Sequence, residues 1–331
     1  MNFRKIKHDI YLKKEVILGN IDYLFSQKKA QKIRIVSSKK WAYKCGEDVL
    51  ILRELKKKGY NARIICYEEE IVNPENVYLI KSIWGYQDNQ KRFKKFLSDI
   101  ENNKATTINP TSIIKNNINK EEQYRLFINY GIPHINSVFI NKDKDFLANI
   151  KKTLKKNFTG KIVVVKPSIS ASGNNTYVLN GTDINNIKLN ELEEKFSFLK
   201  AKNKLIIQEY IPEVKDGEVS VICLNGQIIY AVKRYPSVFT KKNTITLLDN
   251  IDKKIMEITR NILNIPELKK AFYARIDLIR KEDSYLVMEV EYTDPQLFLN
   301  IGCSKQKVKE HISRYVDELT KYLEKNDKKD S

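Results

Sequence analysis

Residues 274–295, ARIDLIRKEDSYLVMEVEYTDP, constrain this chain more than any other stretch. Two β-forming runs, 274–278 and 285–292, flank a charged turn through 280–284, which is the pattern of a β-hairpin. Side chains alternate between the faces of a strand, so Arg275 and Asp277 share one face, and Glu289 and Glu291 share one face. Ile276, Leu278, Met288 and Val290 fall on the other sides and read as core. A turn centred near Asp283 sets Asp277 opposite Glu289 and Arg275 opposite Glu291. Carboxylates directly across a strand pair repel. A divalent cation held by the oxygens of Asp277, Glu289 and Glu291 offsets that repulsion. A solvated acidic face is the plainer explanation of the carboxylates alone, but the flanks YARIDLI and LVMEVEY are too apolar for a freely exposed sheet.

Length and composition bound the rest. A chain of 331 residues has ample length for a buried core divided among two or three units. Lys and Arg number 60 against 41 Asp and Glu, a net charge of +19, which favours anionic partners. The lysines are dispersed along the whole chain instead of clustering with aromatics, so nucleic acid is disfavoured as a partner. Cys45, Cys66, Cys223 and Cys303 form no CxxC pair, which argues against zinc or a disulfide framework and fits a reducing cytoplasm. His8, His134 and His311 are equally scattered, so histidine chemistry has little support. The basic start MNFRKIKHDIYLKKEVILGN lacks a continuous apolar segment and does not read as a signal peptide. No apolar run approaches transmembrane length, so no membrane partner is expected.

Along the chain, residues 1–30 read as a helical lead-in. IRIVSS (33–38), NARIICYE and VYLIKSIW (77–84) read as strands, alternating with helices near 47–58 and 90–101; this order predicts a small open α/β domain ending near Pro110. A new unit begins at Asn119 with a helix over 120–129, halted at Gly131-Ile132-Pro133. Helical segments follow at 146–157 and in ELEEKFSFLKAK, with strands in KIVVVKP and KLIIQEY. EVSVICLNGQIIYAVKRYP reads as a hairpin turning at Asn225-Gly226. IDKKIMEITRNILNI is an amphipathic helix, KVKEHISRYVDELTKYLEK closes the chain, and NDKKDS reads as a frayed tail.

Two further segments carry candidate chemistry. Lys166 ends a β-branched strand and is followed by Ser168-Ile169-Ser170-Ala171-Ser172-Gly173, a small-residue loop of the kind that lets backbone N–H groups and hydroxyls approach phosphate. It lacks the Gly-Lys-Ser/Thr ending of a Walker sequence, and by itself an ordinary surface turn explains it. In QEYIPEVKDGEVSV, Glu209, Tyr210 and Ile211 make a hinge whose backbone can read an adenine edge, and Glu218 can accept bonds from ribose hydroxyls; water-facing placement is the plainer reading of Glu218.

Taken in order, KIVVVKPSISASG, IIQEYIPEVKDGEVSV, YAVKR, ARIDLI and MEVEYTDP resemble the ATP-grasp superfamily of carboxylate–amine ligases. MEVEYTDPQLFL, with YLIKSIWGY and NPTSIIKNNINKEEQYRLF upstream, is most similar to the branch of cycloserine-forming and glutathione-synthetase-like enzymes. The resemblance spans about residues 33–320. It implies a mixed α/β (α+β) fold with an N-terminal open α/β domain over 1–115, a linker helix and lid over 116–207, a C-terminal antiparallel-sheet domain over 208–325 and a disordered tail over 326–331. By resemblance Lys120 and Lys166 are the two nucleotide-binding lysines, Lys166 reaching the α-phosphate and adenine; Ser170, Ser172 and Gly173 cover the phosphates, Glu209, Tyr210 and Ile211 flank the adenine, and Glu218 holds the ribose. Lys233 or Arg234 meets the terminal phosphates, Asp277, Glu289 and Glu291 bind magnesium (or manganese), and Arg275 steadies the reaction intermediate. The implied reaction uses ATP and Mg2+ to activate a small carboxylate as an acylphosphate and joins it to an amine. Phosphate transfer on the same fold is the alternative. Relatives often have Asn where Glu291 stands, which makes this site more anionic, and the loop carries one glycine where many relatives have more. Trp84 and Tyr86 either line the acceptor cleft or belong to the core, and a homodimer is an expectation by analogy alone.

Overall fold

The computed structural model describes residues 3–169, 175–180, 191–192, 194, 196–197, 204–235, 244–301 and 304–330. Its strands form three sheets among those residues. The first contains β1 (Lys32–Ser37), β2 (Asn61–Cys66), β3 (Asn76–Ile80) and β4 (Thr106–Ile108), all parallel in the order β2-β1-β3-β4. Nearly continuous Ile and Val in these strands suit a sheet covered on both faces. One covering layer is α1 (Phe3–Phe25) and α2 (Gly46–Lys57); the other includes α3 (Gln90–Asn102), whose Phe93, Phe96, Leu97 and Ile100 form one buried stripe. The order reverses between β1 and β3, so their carboxyl ends, Ser37-Ser38 and Lys81-Ser82, open the crevice where ligands of such sheets generally sit.

The strand expected over 77–84 ends at Ile80. Beyond it Lys81 and Ser82 turn inward to Glu47 and Asp48, which costs the ladder its continuation and creates a buried polar cluster. Trp84 stays partly exposed, and its indole N–H donates to the Asp294 carbonyl at 3.0 Å. Tyr86 is buried against Phe93 at 5.1 Å between ring centroids and belongs to the core.

A second sheet is antiparallel: β5 (Ser137–Asn141), β8 (Lys204–Glu209), β6 (Ile162–Pro167) and β7 (Tyr177–Asn180), in that order. It packs on α6 (Phe146–Asn157) through Phe146, Ile150 and Leu154. Most of the helix expected in ELEEKFSFLKAK lies outside the described residues, although Leu192 and Phe196 are buried in this same core.

The third sheet, also antiparallel, runs β11 (Thr244–Leu247), β10 (Gln227–Tyr235), β9 (Glu218–Leu224), β12 (Tyr273–Lys281) and β13 (Ser284–Glu291). Its apolar face, with Val219, Val221, Ala274, Ile276, Leu278 and Val290, meets Ile255, Ile258 and Ile262 of α7 (Lys253–Leu263) and Tyr124 and Phe127 of α5 (Lys120–Asn129). The β9–β10 turn is at Asn225-Gly226, both with positive φ (50° and 75°), as a tight hairpin turn requires.

The closing helix, α8 (Lys305–Asp330), returns to the first sheet, burying Ile312, Tyr315, Val316, Leu319 and Leu323 in the core shared with β1 and α2. Its helical backbone continues to Asp330, through the segment expected to fray. Asn109, at the end of β4, joins the first and third sheets: its amide donates to the carbonyls of Tyr273 (2.9 Å) and Tyr292 (2.8 Å) and accepts from the Phe272 and Tyr273 N–H groups. Tyr273 adds a hydroxyl bond to the Ile80 carbonyl at 2.6 Å.

Candidate nucleotide and metal site

The hairpin β12–β13 carries the site. Asp277 pairs with Glu289 and Arg275 with Glu291, the register read from the sequence. The route to that register differs from the expected one. The strands run further, to a two-residue turn at Glu282-Asp283 with Glu282 at φ 53°, and a bulge lets Leu278 pair with Val287 while Asp277 pairs with Glu289. Met288 is the inserted residue. On the neighbouring strand Ser220 lies opposite Asp277, and Glu218 lies opposite Arg234 of β10. Period-two alternation thus brings Arg234, Glu218, Ser220, Asp277, Arg275, Glu289 and Glu291 to one face of one sheet.

β13 is an edge strand, and side chains from outside the sheet occupy its open edge. The Asn117 amide donates to the Val290 carbonyl (2.6 Å) and accepts from the Tyr292 N–H (2.8 Å). Gln123 accepts from the Val290 N–H, and the Tyr124 hydroxyl donates to the Met288 carbonyl. An edge secured in this way holds Glu289 and Glu291 on rigid backbone.

The face divides electrostatically. At one end Arg275 donates to Asp277 through Nε and Nη2, each at 2.9 Å, Arg234 reaches Asp277 and Glu218 at 3.0 Å, and the Ser220 hydroxyl donates to Asp277 at 2.6 Å. Burial would raise the Asp277 carboxyl, but Arg234 and Arg275 outweigh it and hold it below the usual carboxylate range. Arg275 stays firmly charged for the converse reason: burial opposes its charge, and Asp277 restores it. Burial raises Glu218, with Arg234 opposing.

At the other end Lys120, the first residue of α5, bonds Glu289 at 2.7 Å. Burial works against both charges, yet each secures the other: Lys120 is raised and Glu289 is held low. Lys166, at the tip of β6, is less well provided for. Burial, and then the Lys120 charge, bring it down to about 8. Burial and the Glu289 charge push Glu291 well above the ordinary range, and burial pushes Asp294 up to about 7. No salt bridge reaches Glu291 or Asp294 among the described residues, and Asp294 Oδ2 is buried without a hydrogen-bond partner. An unpartnered buried carboxylate oxygen near two glutamates is the kind of donor that hard divalent cations take, although the three are not gathered into a ready-made metal arrangement.

Of the three expected metal ligands, Glu289 and Glu291 come together while Asp277 turns to the arginines. No group of three or more His, Cys, Asp and Glu side chains stands in a metal-holding arrangement among the described residues. Of the pair Lys233 and Arg234, Arg234 faces the site; Lys233 projects to the other side, over the Tyr235 ring at 5.3 Å and beside Gly217. Glu209 bonds Lys281 (3.0 Å) and Lys161 (3.2 Å), which overcome its burial and keep it ionised. The Tyr210 N–H donates to the Ile162 carbonyl, and the Ile211 side chain is buried with Ile135 and Ile279. Ser170, Ser172 and Gly173 lie outside the described residues. Asp294 and Ser220 received no role in the sequence reading. Ser220 was available from alternation with Glu218, whereas Asp294 lies past the strand end, where period-two reasoning stops.

A carboxylate- and arginine-bearing antiparallel sheet facing a second antiparallel sheet with a lysine at its tip, joined to an open parallel α/β sheet, is an ATP-grasp fold. The profile of the family described as prokaryotic glutathione synthetase, ATP-grasp domain, matches residues 125–306, and the chain belongs to that family. ATP-dependent carboxylate–amine ligation is the general chemistry of this family. The crystal structure of the D-cycloserine synthetase DcsG is similar to this chain at TM-score 0.73 and 18% identity, over 88% of this chain and 99% of that one. A D-alanine–D-alanine ligase from Bacillus anthracis in complex with ATP gives TM-score 0.64 and 14% identity, over 91% and 100%. The ATP-grasp ligase PsnB complexed with a minimal precursor gives 0.58 and 14%, over 88% and 99%. Comparison with curated protein sequences gives no significant match. No helix among the described residues is long and apolar enough to cross a membrane.

Proposed function

We propose that this protein is an ATP- and Mg2+-dependent carbon–nitrogen ligase that activates a small, amino-acid-like carboxylate as an acylphosphate and joins it to an amine. The reading is carried by one juxtaposition: Glu289 and Glu291 on one sheet face, with Lys120 and Lys166 on one side and Arg234 and Arg275 on the other. The domain division at residues 115, 207 and 325 is part of the same proposal, and so is a cytoplasmic setting, which the unpaired Cys45, Cys66 and Cys223 support.

In this reading Lys120 and Lys166 bind and orient the nucleotide phosphates, and Glu209 to Ile211 border the adenine. Two backbone features favour the hinge: the Tyr210 N–H is occupied within the sheet, and the Ile211 N–H donates to no backbone group among the described residues. Glu289, Glu291 and Asp294 would hold the metal, with Asp277 an additional ligand once it exchanges an arginine contact. A divalent cation held by these carboxylates would supply positive charge to neutralise the phosphate oxygens during phosphoryl transfer. Arg275, half-buried and permanently charged, sits where it can stabilise the oxyanion that develops as the amine attacks the acylphosphate. Protein nucleophiles are not required.

The test is release of ADP and phosphate from purified protein with Mg-ATP across pools of amino acids and small carboxylates. Pool-dependent release with a new amide mass is the expected result. A phosphorylated product without an amide would replace the ligase with a phosphotransferase, and absence of both nucleotide binding and turnover would overturn the reading.

A further inference from the structure

The two arginines of the site share a neighbour that is not itself charged. Phe298 is 2% exposed, and its ring centroid lies 5.8 Å from the Arg234 guanidinium carbon and 5.9 Å from that of Arg275, within cation–π range of both. Its backbone is strained: φ is 58°, a region a bulky residue adopts only when its surroundings impose it. The imposing group is Glu47. Its two carboxylate oxygens accept from the N–H groups on either side of Phe298, Leu297 to Oε2 at 3.2 Å and Leu299 to Oε1 at 3.0 Å. Glu47 is itself buried (3% exposed) and bonded to Lys81 Nζ at 3.4 Å, and Lys81 also donates to the Pro295 carbonyl. The Tyr230 hydroxyl, on β10 of the third sheet, donates to the Leu297 carbonyl, and Arg275 donates to the Gln296 carbonyl at 3.4 Å. A carboxylate from the first turn of α2 therefore grips the loop whose ring lies against both guanidinium groups.

We propose that Glu47 is a positioning residue: by clamping the backbone around Phe298 it sets the placement of Arg234 and Arg275, so that the N-terminal α/β unit controls the arginine end of a site to which it contributes no group of its own there. The proposal rests on the reading of these arginines as contacts to the nucleotide or reacting acyl group, but the placement itself can be measured without any ligand.

Glu47→Gln keeps the shape and replaces one acceptor oxygen with an amide donor facing an N–H. Phe298→Gly retains, and favours, the positive φ while removing the ring; Phe298→Tyr retains the ring. Val49→Ala, a buried change in the same helix, lowers stability without touching the loop. The first readout is the arginine Nε–H resonances of the free protein, assigned by loss in Arg234→Lys and Arg275→Lys. Glu47→Gln and Phe298→Gly are expected to shift both signals, and Val49→Ala and Phe298→Tyr to leave them in place. The second readout is the affinity for Mg-ATP by calorimetry. Each of the two perturbing changes is expected to weaken it roughly tenfold, and the double variant is expected to be no weaker than Glu47→Gln alone, since both act on one linkage. Unmoved arginine signals in Glu47→Gln overturn the proposal, as does strict additivity in the double variant. Shifted signals in a protein that binds no ATP would support the clamp while refuting the nucleotide reading.

Discussion

The arginine end and the lysine end of the site differ although one sheet face carries both. At the arginine end every carboxylate is matched: Asp277 has Arg234, Arg275 and Ser220, and Glu218 has Arg234. At the lysine end Glu289 has Lys120, while Glu291 and Asp294 have no salt bridge among the described residues and Lys166 is driven toward neutrality. At the first end the carboxylates are all paired, although Arg234 Nε is buried without a hydrogen-bond partner, and the paired charges have the character of fixed machinery. The second holds carboxyl groups and an amine that burial drives toward neutrality instead of pairing them, which agrees with the proposed cation and polyanion site. Functional sites are where a fold tolerates such deficits, because the ligand removes them.

The contrast can be broken most directly at the lysine end. Replacing both Glu289 and Glu291 with Gln is expected to reduce Mg-ATP turnover by about a thousandfold or more, since the cation's donors are removed; ADP release measures it, and near-normal turnover would move the metal site elsewhere. Stability should respond with opposite sign at the two ends. Asp277→Asn leaves Arg234 and Arg275 without their shared anion and is expected to cost about 3–5 kcal/mol, whereas Glu291→Gln in the ligand-free protein is expected to be neutral or stabilising. Urea unfolding of both variants decides the point, and equal losses would erase the distinction.

Lys166 sharpens it through pH. Its folded-state value of about 8 lies below the ordinary lysine value of 10.5, so between these two pH values the unfolded chain binds more protons than the folded one. The contribution of this group to stability is therefore unfavourable below pH 8 and improves as pH rises through that window. Lys166→Met is expected to raise ligand-free stability by about 1 kcal/mol at neutral pH, to remove that rise with pH and to weaken ATP binding. Binding of ATP to the unaltered protein above pH 8 should take up a proton, visible as a buffer-dependent calorimetric heat. Smallest is Trp84→Phe, which deletes the bond to the Asp294 carbonyl. It is expected to cost about 1 kcal/mol of stability and to change KM for one substrate a few-fold, with kcat nearly preserved; an unchanged KM for every substrate would return Trp84 to the core beside Trp41, whose ring it meets edge-on at 5.1 Å.

Much of this was legible in the sequence wherever a local rule applied. Period-two alternation located the shared face of Arg275, Asp277, Glu289 and Glu291, Asn225-Gly226 marked the neighbouring β9–β10 turn, and helix signals bounded Lys120–Asn129. Legibility failed where the outcome depends on distant partners. Nothing local says that Asp277 will turn to Arg234, forty-three residues earlier in the chain, in preference to a cation shared with Glu289 across the ladder. The strand after Tyr78 was read too long because Lys81 and Ser82 leave the ladder for Glu47 and Asp48, contacts made across a sheet–helix layer. Phe298 looks like an ordinary core residue until its backbone angle is known.

One residue in the hairpin never touches the charged groups and yet decides whether they meet. Without the bulge at Met288, the two-residue turn at Glu282-Asp283 would carry its pairing straight through, and Asp277 would lie opposite Met288. The carboxylates of β13 would then move to the face now packed against the α7 helix, and Val290 would take their place beside Arg275. Deleting Met288 itself would leave Leu278 with Val287 and Asp277 with Glu289 in an unbroken ladder, so what matters is that the strand absorbs one extra residue as a bulge: a tuck in the cloth that lets the pattern still match across the seam.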